Sequence, residues 1–496
     1  MADEPLWNAR ELKKATKGRW INQPKPSWAP IRVSYDINSL AKPNQLIVCR
    51  SSHSWNRRAP DTSRAIPELI KGRQAGAIVQ QEQLKNVPKR LPSWFGVLLV
   101  KNTRKALQDL GLAARTRFRG KVIALTGTVG KTTSREMLRH TLDRQGGASA
   151  TRGNNNNLAG VSRSMAYTPR GHGFSIIEVG FGFPLGGVAR SSQLVRPHVS
   201  LLTAVGLAHL DVFGAQANDE DTGLELVLAQ KLGIIDGLEK GGTFVLNRSM
   251  RKFDIAARVA KERGVRFFTF GEHPEADLRL VEYEPTQDAD GGRVTVELEG
   301  QRVEYTIKLP GRHMAINSVG ALAVVRAAGG DLQRAAADLA DFTAVGGRAS
   351  ISEIQLEGGT ATLIDDSYNA TPDSIRSTLS LMAQVAREKG AGGRRIAVLG
   401  DIRHLGPREA EHHAALAPAL AEHGVDHVIT FGELMHHLQD AAPKELQGGH
   451  KGSHQAVLDA IRAVLKPGDV VTIKASTPVK LGRVAHALRQ GKQRLG

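Results

Sequence analysis

The segment VIALTGTVGKTTSREML, residues 122–138, constrains the fold more than any other part of this 496-residue chain. An apolar run of strand character leads into Gly127-Thr128-Val129-Gly130-Lys131-Thr132-Thr133, and a helical pattern follows at once. Glycines let a backbone curl until its N–H groups face phosphate oxygens, and the N-terminus of the next helix adds the positive end of its dipole. Lys131 is placed to reach terminal phosphates, and the Thr132 hydroxyl can ligate Mg²⁺. The loop is shorter than G-x-x-x-x-G-K-[ST], because Leu125 stands where that motif needs glycine.

A phosphate loop of this kind sits at the edge of a parallel α/β sheet, and the flanking sequence fits one. Residues 119–340 alternate apolar β-runs with helical patterns, the strand candidates being KVIAL (121–125), FSIIEV (174–179), HVSLLTAV (198–205) and GTFVLN (242–247). Residues 341–496 repeat the alternation with TLID (362–365), RIAVLGD (395–401), HVITFG (427–432) and VVTIKAS (470–476). Residues 1–118 mix the short runs IRVSYDI, QLIVC, AGAIV and GVLLV with turns, an α+β pattern. Three domains with these bounds follow, and Gly346-Gly347-Arg348 suits a hinge near the second join.

Charge is concentrated. The net charge is +18, and residues 1–120 alone hold 23 Lys/Arg against 8 Asp/Glu, a local +15. Such an excess points to an anionic ligand. No arginine-rich repeat, RNP-type aromatic motif or helix-turn-helix signature accompanies it, so nucleic acid is not the expected partner. The lone Cys49 excludes an internal disulfide and a cysteine-rich metal site, and at the end of LIVC it reads as a packed strand residue. No apolar run approaches the roughly 18–20 residues of a membrane span, and MADEPLWNAR lacks a secretory core. A cytoplasmic protein is expected, with a monomer favoured.

Two further strands bring chemistry to the same sheet edge. FSIIEV delivers Glu178, and HVSLLTAV runs into GLAHLD with His209 and Asp211. Ligand sites in open α/β sheets cluster beyond the carboxyl ends of the strands, which sets both residues near whatever Lys131 and Thr132 hold.

TGTxGKT, the Glu-bearing strand and the A-H-L-D loop together resemble the Mur ligases, ATP-dependent amide ligases of peptidoglycan synthesis, and within them the MurF type. Thr151-Arg152-Gly153-Asn154-Asn155-Asn156-Asn157 is similar to the family's T-x-G-N-x-N-N loop, GRHMAIN (311–317) to its G-x-H-N-x-x-N segment, and Arg348 with IDDSYNATPDS (364–374) to elements of its C-terminal domain. VLGD (398–401), Leu405-Gly406 and IKAS (473–476) continue the same order.

The resemblance implies a three-domain α/β architecture: an α+β substrate domain, a central ATPase domain and a Rossmann-like C-terminal domain. It implies ATP and Mg²⁺ as cofactors, with small-molecule acid and amine substrates, the acid anionic. Gly127, Thr128, Gly130, Lys131, Thr132 and Thr133 would cradle the phosphates, Asn317 would lie at the adenine, and Arg348 and Asp366 would close on the nucleotide. Thr132, Glu178 and His209 would bind metal, and Asn154, Asn156 and Asn157 substrate. Lys231, in LAQKLG, matches the family's carbamylated lysine, whose carbamate would help hold a second metal, although from its own pattern it reads as a surface helix residue.

Several family positions differ. Tyr35-Asp36-Ile37-Asn38 lacks the arginine of the N-terminal D-S-R element, and no D-G-H stretch follows it. Met314 replaces the first asparagine of H-N-x-x-N, Ala475 the glycine of K-G-S and Gly233 a glutamate. VLNRSM (245–250) has no acidic N-x-D-D continuation, and His404 stands where a glutamate is usual. The reaction that the resemblance implies is ATP-driven ligation through an acyl phosphate. Two alternatives stay open: a paralogue using a different anionic acid, and a nucleotide-binding regulator or scaffold without ligase activity.

Overall fold

The computed structural model describes residues 5–37, 43–55, 59–182, 185–287, 290–343, 346–390 and 392–495. Asn38, Arg57 and Arg58, basic or substituted positions of the N-terminal section, lie outside them. The strands form sheets of five, nine and six members. The chain divides into two compact units, Met1–Thr126 with Leu142–Ser200 and Leu232–Thr243, and Gly127–Thr141 with Leu201–Lys231 and Phe244–Gly496.

In the first unit, the four apolar runs of the N-terminal section become Arg32–Ser34, Gln45–Val48, Gly76–Val79 and Gly96–Leu99, paired in parallel. Arg19–Asn22 adds an antiparallel edge against Gly96–Leu99. Ile47, Ile66, Leu69, Val79, Phe95 and Val97 fill its core. Cys49 is fully buried among them, as its sequence context predicts, and burial pushes its thiol up to about 12. The strand Lys121–Thr126 pairs in parallel with Phe174–Glu178, which pairs in parallel with Ala148–Ala150. The helix Thr103–Arg117 runs close against Leu158–Ala166: a Cβ on Gly111 would meet the Ser162 carbonyl oxygen at 3.0 Å.

Part of the basic excess is structural. Arg115 is buried, donating through Nε to the Val195 carbonyl at 2.6 Å and pairing with Glu239 at 2.8 Å. Arg117 lies 3.9 Å from the Trp7 ring centroid, a cation–π contact.

In the second unit, residues 278–307 form an antiparallel meander that the apolar-run reading missed: Leu278–Pro285, Gly292–Leu298 and Gln301–Ile307. These strands alternate charged and apolar residues, so they carry no continuous apolar run. Glu299 and Gly300 have φ of 52° and 78° between the paired Leu298 and Gln301, as a two-residue hairpin turn requires. The last sheet orders Ser350–Leu356, Gly359–Asp365, Val470–Lys474, Arg395–Gly400, His427–Phe431 and Gln447–Lys451, with only the first pair antiparallel. Leu363, Val398, Ile429, Val471 and Ile473 make its centre. All eight strand candidates of residues 119–496 become strands within a few residues of the expected bounds. Among the described residues no helix is long and apolar enough to cross a membrane.

Candidate functional site

The phosphate loop is held by the segment after the strand Val199–Leu202. The Thr128 N–H donates to the Ala204 carbonyl at 2.8 Å, and its hydroxyl donates to the Gly206 carbonyl at 3.1 Å. Thr203 Oγ1 donates to the Val129 carbonyl at 2.6 Å. Two glycines are required by this fit. A Cβ on Gly127 would fall 1.9 Å from Thr203 Oγ1, and Gly130 has φ +83° with Asn317 Oδ1 2.5 Å from where its Cβ would stand. Asn317, predicted at the nucleotide, thus faces the loop from the helix Arg312–Ala327.

The helix Lys131–Asp143 starts directly after the loop, with Thr132 and Thr133 buried in its first turn. Lys131 Nζ folds back onto the Gly127 and Thr128 carbonyls at 2.7 and 3.0 Å. Lys231 corrects its reading as a surface residue. It is 2% exposed, and its Nζ donates to the same Gly127 carbonyl at 2.8 Å. The helix Glu220–Leu232 buries Leu224, Val227, Leu228 and Leu232 and exposes Glu220, Asp221 and Glu225, so Lys231 stands on the apolar face, and its charge alone suggested exposure. Burial, and then the Lys131 cation, hold the Lys231 amine well below the ordinary lysine range.

His209 occupies the left-handed region at φ 59°. Burial, then Lys231, Lys131 and His404, lower its pKa to about 4, with Asp211 opposing. Its imidazole is neutral at neutral pH, the form that binds metal. Lys131, Thr132, His209, Lys231 and Asn317 belong to one unit.

Arg348 and Asp366 are engaged within the C-terminal sheet region. The Arg348 guanidinium lies 3.9 Å from the Tyr368 ring centroid, and the Tyr368 N–H donates to the Gly347 carbonyl at 3.0 Å. Asp366 accepts from the Thr378 hydroxyl at 2.6 Å and forms an ion pair with the buried Lys474. Breaking a buried pair by removing one partner costs about 3–5 kcal/mol. Lys474→Met is therefore expected to lower the thermal midpoint by several degrees in calorimetry, and Asp366→Asn with Lys474→Met to recover part of it.

The first unit carries Glu178 and the asparagine cluster. Glu178 is buried; its Oε1 accepts from Asn156 Nδ2 at 2.9 Å and its N–H donates to Thr151 Oγ1 at 3.0 Å. Asn157 caps the helix Leu158–Ala166 by accepting from the Gly160 N–H at 2.9 Å. Asn154 is exposed, and its carbonyl accepts from the Asn156 N–H at 2.8 Å.

Beside this cluster lies a cavity of about 240 Å³ whose lining includes Arg32, Gln45, Arg152, Asn155, Arg163 and Tyr167. Arg152 and Arg32 lie 4.6 and 5.8 Å from the Tyr167 ring centroid, and the Tyr35 hydroxyl donates to Asn155 Oδ1 at 2.9 Å. Burial lowers the Arg163 pKa, Tyr35 opposes this, and Arg152 adds to it. Sequence reading missed this cavity, because Arg32 and Arg163 meet only in the fold. Thr203 was missed as well, although it is the first polar residue after the run VSLL.

The model of the Mur ligase middle domain matches residues 125–325, and that of the Mur ligase glutamate ligase domain matches residues 347–477. The UDP-N-acetylmuramoyl-tripeptide–D-alanyl-D-alanine ligase of Escherichia coli K12 is 29% identical over 398 residues, covering 79% of this chain and 82% of its own. The enzyme of the same name from Rickettsia prowazekii is 25% identical over 84% of this chain and 87% of its own. Among solved structures, MurF from Acinetobacter baumannii superposes with a TM-score of 0.79 at 24% identity, covering 98% of this chain and 99% of that one. MurF from Thermotoga maritima in complex with ADP gives 0.72 at 22% identity, covering 92% and 97%. With both family domains matched in order along most of its length, the chain belongs to the Mur ligase family.

Proposed function

We propose that the protein is an ATP-dependent ligase of the MurF type, which joins the carboxylate of an anionic acid to an amine. One observation carries the reading: two lysines from separate helices, Lys131 and the buried Lys231, converge on the carbonyl of Gly127 in a phosphate loop. A lysine cation and a buried amine brought to one carbonyl of a glycine loop support an anion bound there.

In the proposed reaction a substrate carboxylate oxygen attacks the γ-phosphorus of ATP, the bond to the β-phosphate oxygen breaks, and ADP leaves. The amine then attacks the acyl phosphate, an amide forms, and phosphate and a proton depart. Lys131 and the loop N–H groups offset charge on the phosphates throughout, which is chiefly a matter of positioning and electrostatics.

The Thr132 hydroxyl, in the first turn of the helix Lys131–Asp143, is an oxygen donor of the kind Mg²⁺ takes, and His209 as a further ligand rests on the family resemblance. When bound, the ion would neutralise phosphate charge. Among the described residues no three His, Cys, Asp or Glu side chains gather as a metal cluster. By the family resemblance, phosphate oxygens and a carbamate at Lys231 would complete the ligands of such an ion. That modification needs an unprotonated amine, which the lowered Lys231 pKa favours. Glu178 as a further ligand rests on the family resemblance.

Arg32, Arg152 and Arg163 around the first-unit cavity support an anionic acid. The missing D-S-R arginine and D-G-H stretch favour an acid not read as a standard uridine nucleotide. Loss of one charge-assisted hydrogen bond costs about 1.5–3 kcal/mol, or about 10- to 150-fold in affinity. Titration calorimetry with UDP-N-acetylmuramoyl-tripeptide is expected to show weak binding, further weakened in Arg163→Met. Micromolar binding with efficient ligation of D-alanyl-D-alanine would overturn this restriction while leaving the ligase reading intact.

A further inference from the structure

His404 occupies a position where the family pattern has glutamate, and the structure gives it specific partners. It leads out of the strand Arg395–Gly400 by way of Asp401-Ile402-Arg403 and meets the His209 loop within the second unit. Its ring stacks on that of His209, with centroids 5.7 Å apart and planes 28° from parallel. Its Nδ1 lies 2.9 Å from Asp211 Oδ2. A carboxylate only accepts, so Nδ1 carries the proton and donates. The Leu210 N–H donates to the His404 carbonyl at 2.9 Å. Gly406, at φ +75°, packs so closely that an added Cβ would stand 3.0 Å from Leu210 Cβ.

Each contact alone is modest. The His404 and Asp211 side chains are 53% and 45% exposed, and such pairs contribute little to global stability. Together they grip three consecutive residues, His209, Leu210 and Asp211, from a single loop. Both histidines hold left-handed backbone, at φ 59° and 69°, a conformation that persists only where the surroundings impose it. A stability role accounts poorly for strained backbone and half-exposed contacts placed on a histidine that feels the charges of Lys231 and Lys131.

We propose that His404 is a positioning residue. By stacking on His209 and holding Asp211, it fixes the His209 imidazole at the phosphate loop and couples that loop to the C-terminal sheet. The glutamate of the family pattern could accept from a donor but could neither stack nor donate to Asp211, so this grip is a feature of the present chain. The proposal builds on the ligase reading for its kinetic consequence, though its structural part stands apart from it.

The test uses the full chain with His404→Ala, His404→Gln, Asp211→Ala and the Asp211→Ala/His404→Ala pair. Gln keeps a donor for Asp211 without the ring. Amide exchange followed by mass spectrometry is expected to rise at least tenfold over residues 209–216 in His404→Ala, with the thermal midpoint unchanged. Steady-state ATP-dependent ligation is expected to lose at least tenfold in kcat while KM for ATP stays within about twofold, and His404→Gln to recover part of the loss. The double variant is expected to be no worse than the poorer single, because both act through one grip. Unchanged exchange over 209–216 would overturn the positioning role whatever the activity, as would multiplicative losses in the double variant. Raised exchange in a protein that ligates no acid–amine pair would support the grip and sink the ligase reading instead.

Discussion

Lys131→Ala is expected to lower ATP-dependent product formation by about 10²- to 10³-fold or more, the scale for losing one preorganised charge-stabilising group. In the structure Lys131 Nζ rests on the Gly127 and Thr128 carbonyls, within reach of the phosphates such a loop would hold. The side chain needs no large rearrangement to exchange those carbonyls for phosphate oxygens. Its removal leaves only the Lys231 amine on Gly127, buried and with a depressed pKa, a poor substitute for a fully charged ammonium. Stability should change little, since Lys131 is only part-buried. Single-turnover assays separate the effects: phosphoryl transfer should collapse while nucleotide binding weakens modestly. A variant with near wild-type turnover would remove the phosphate loop from the mechanism.

Lys231→Ala is the second change with a large expected effect. A buried lysine beside another lysine is doubly disfavoured as a cation, by desolvation first and by like charge second. Reaction of its neutral amine with carbon dioxide forms a nitrogen–carbon bond, releases one proton and leaves a carbamate anion, which turns a repelling group into a ligand for metal. Lys231→Ala is expected to lose most activity and to regain part of it with acetate or another short carboxylic acid. Lys231→Arg keeps the charge, cannot form the carbamate, and is expected to stay inactive. Carbon-13-enriched bicarbonate should give a carbamate resonance in the wild type that is absent from both variants. Full activity in Lys231→Arg, or no such resonance, would leave Lys231 as a simple loop-anchoring cation.

The parts of the molecule that were legible in advance share one property: their signal is local in sequence. The strands Lys121–Thr126, Phe174–Glu178, Arg395–Gly400 and Val470–Lys474 are short apolar runs buried along their length, and such runs need no partner to be recognised. The glycine loop and its following helix are likewise one contiguous segment. Features that depend on pairing were hidden. The meander from Leu278 to Ile307 alternates polar and apolar residues, and its apolar face is defined only by what it packs on. Lys231 looked exposed because it is a charged residue, although it shares a helix face with Leu224, Val227 and Leu228, and only the fold brings it to Gly127 across 104 residues. Arg32 and Arg163 line one cavity although they are far apart in sequence. His404 was visible as a departure from the family pattern, but its meaning required Asp211, 193 residues earlier.

The central claim is that the loop powers amide formation. Its most direct test is an ADP-release screen of the purified full chain over acid–amine pairs, read with mass spectrometry of the products. The set should include UDP-N-acetylmuramoyl-tripeptide with D-alanyl-D-alanine, together with other phosphorylated and polycarboxylate acids. ADP release that requires both an acid and an amine, with a product lighter than their sum by one water, is the expected result. ADP release independent of both, or none with any pair while ATP still binds, would contradict the account and leave a nucleotide-binding protein without ligase activity.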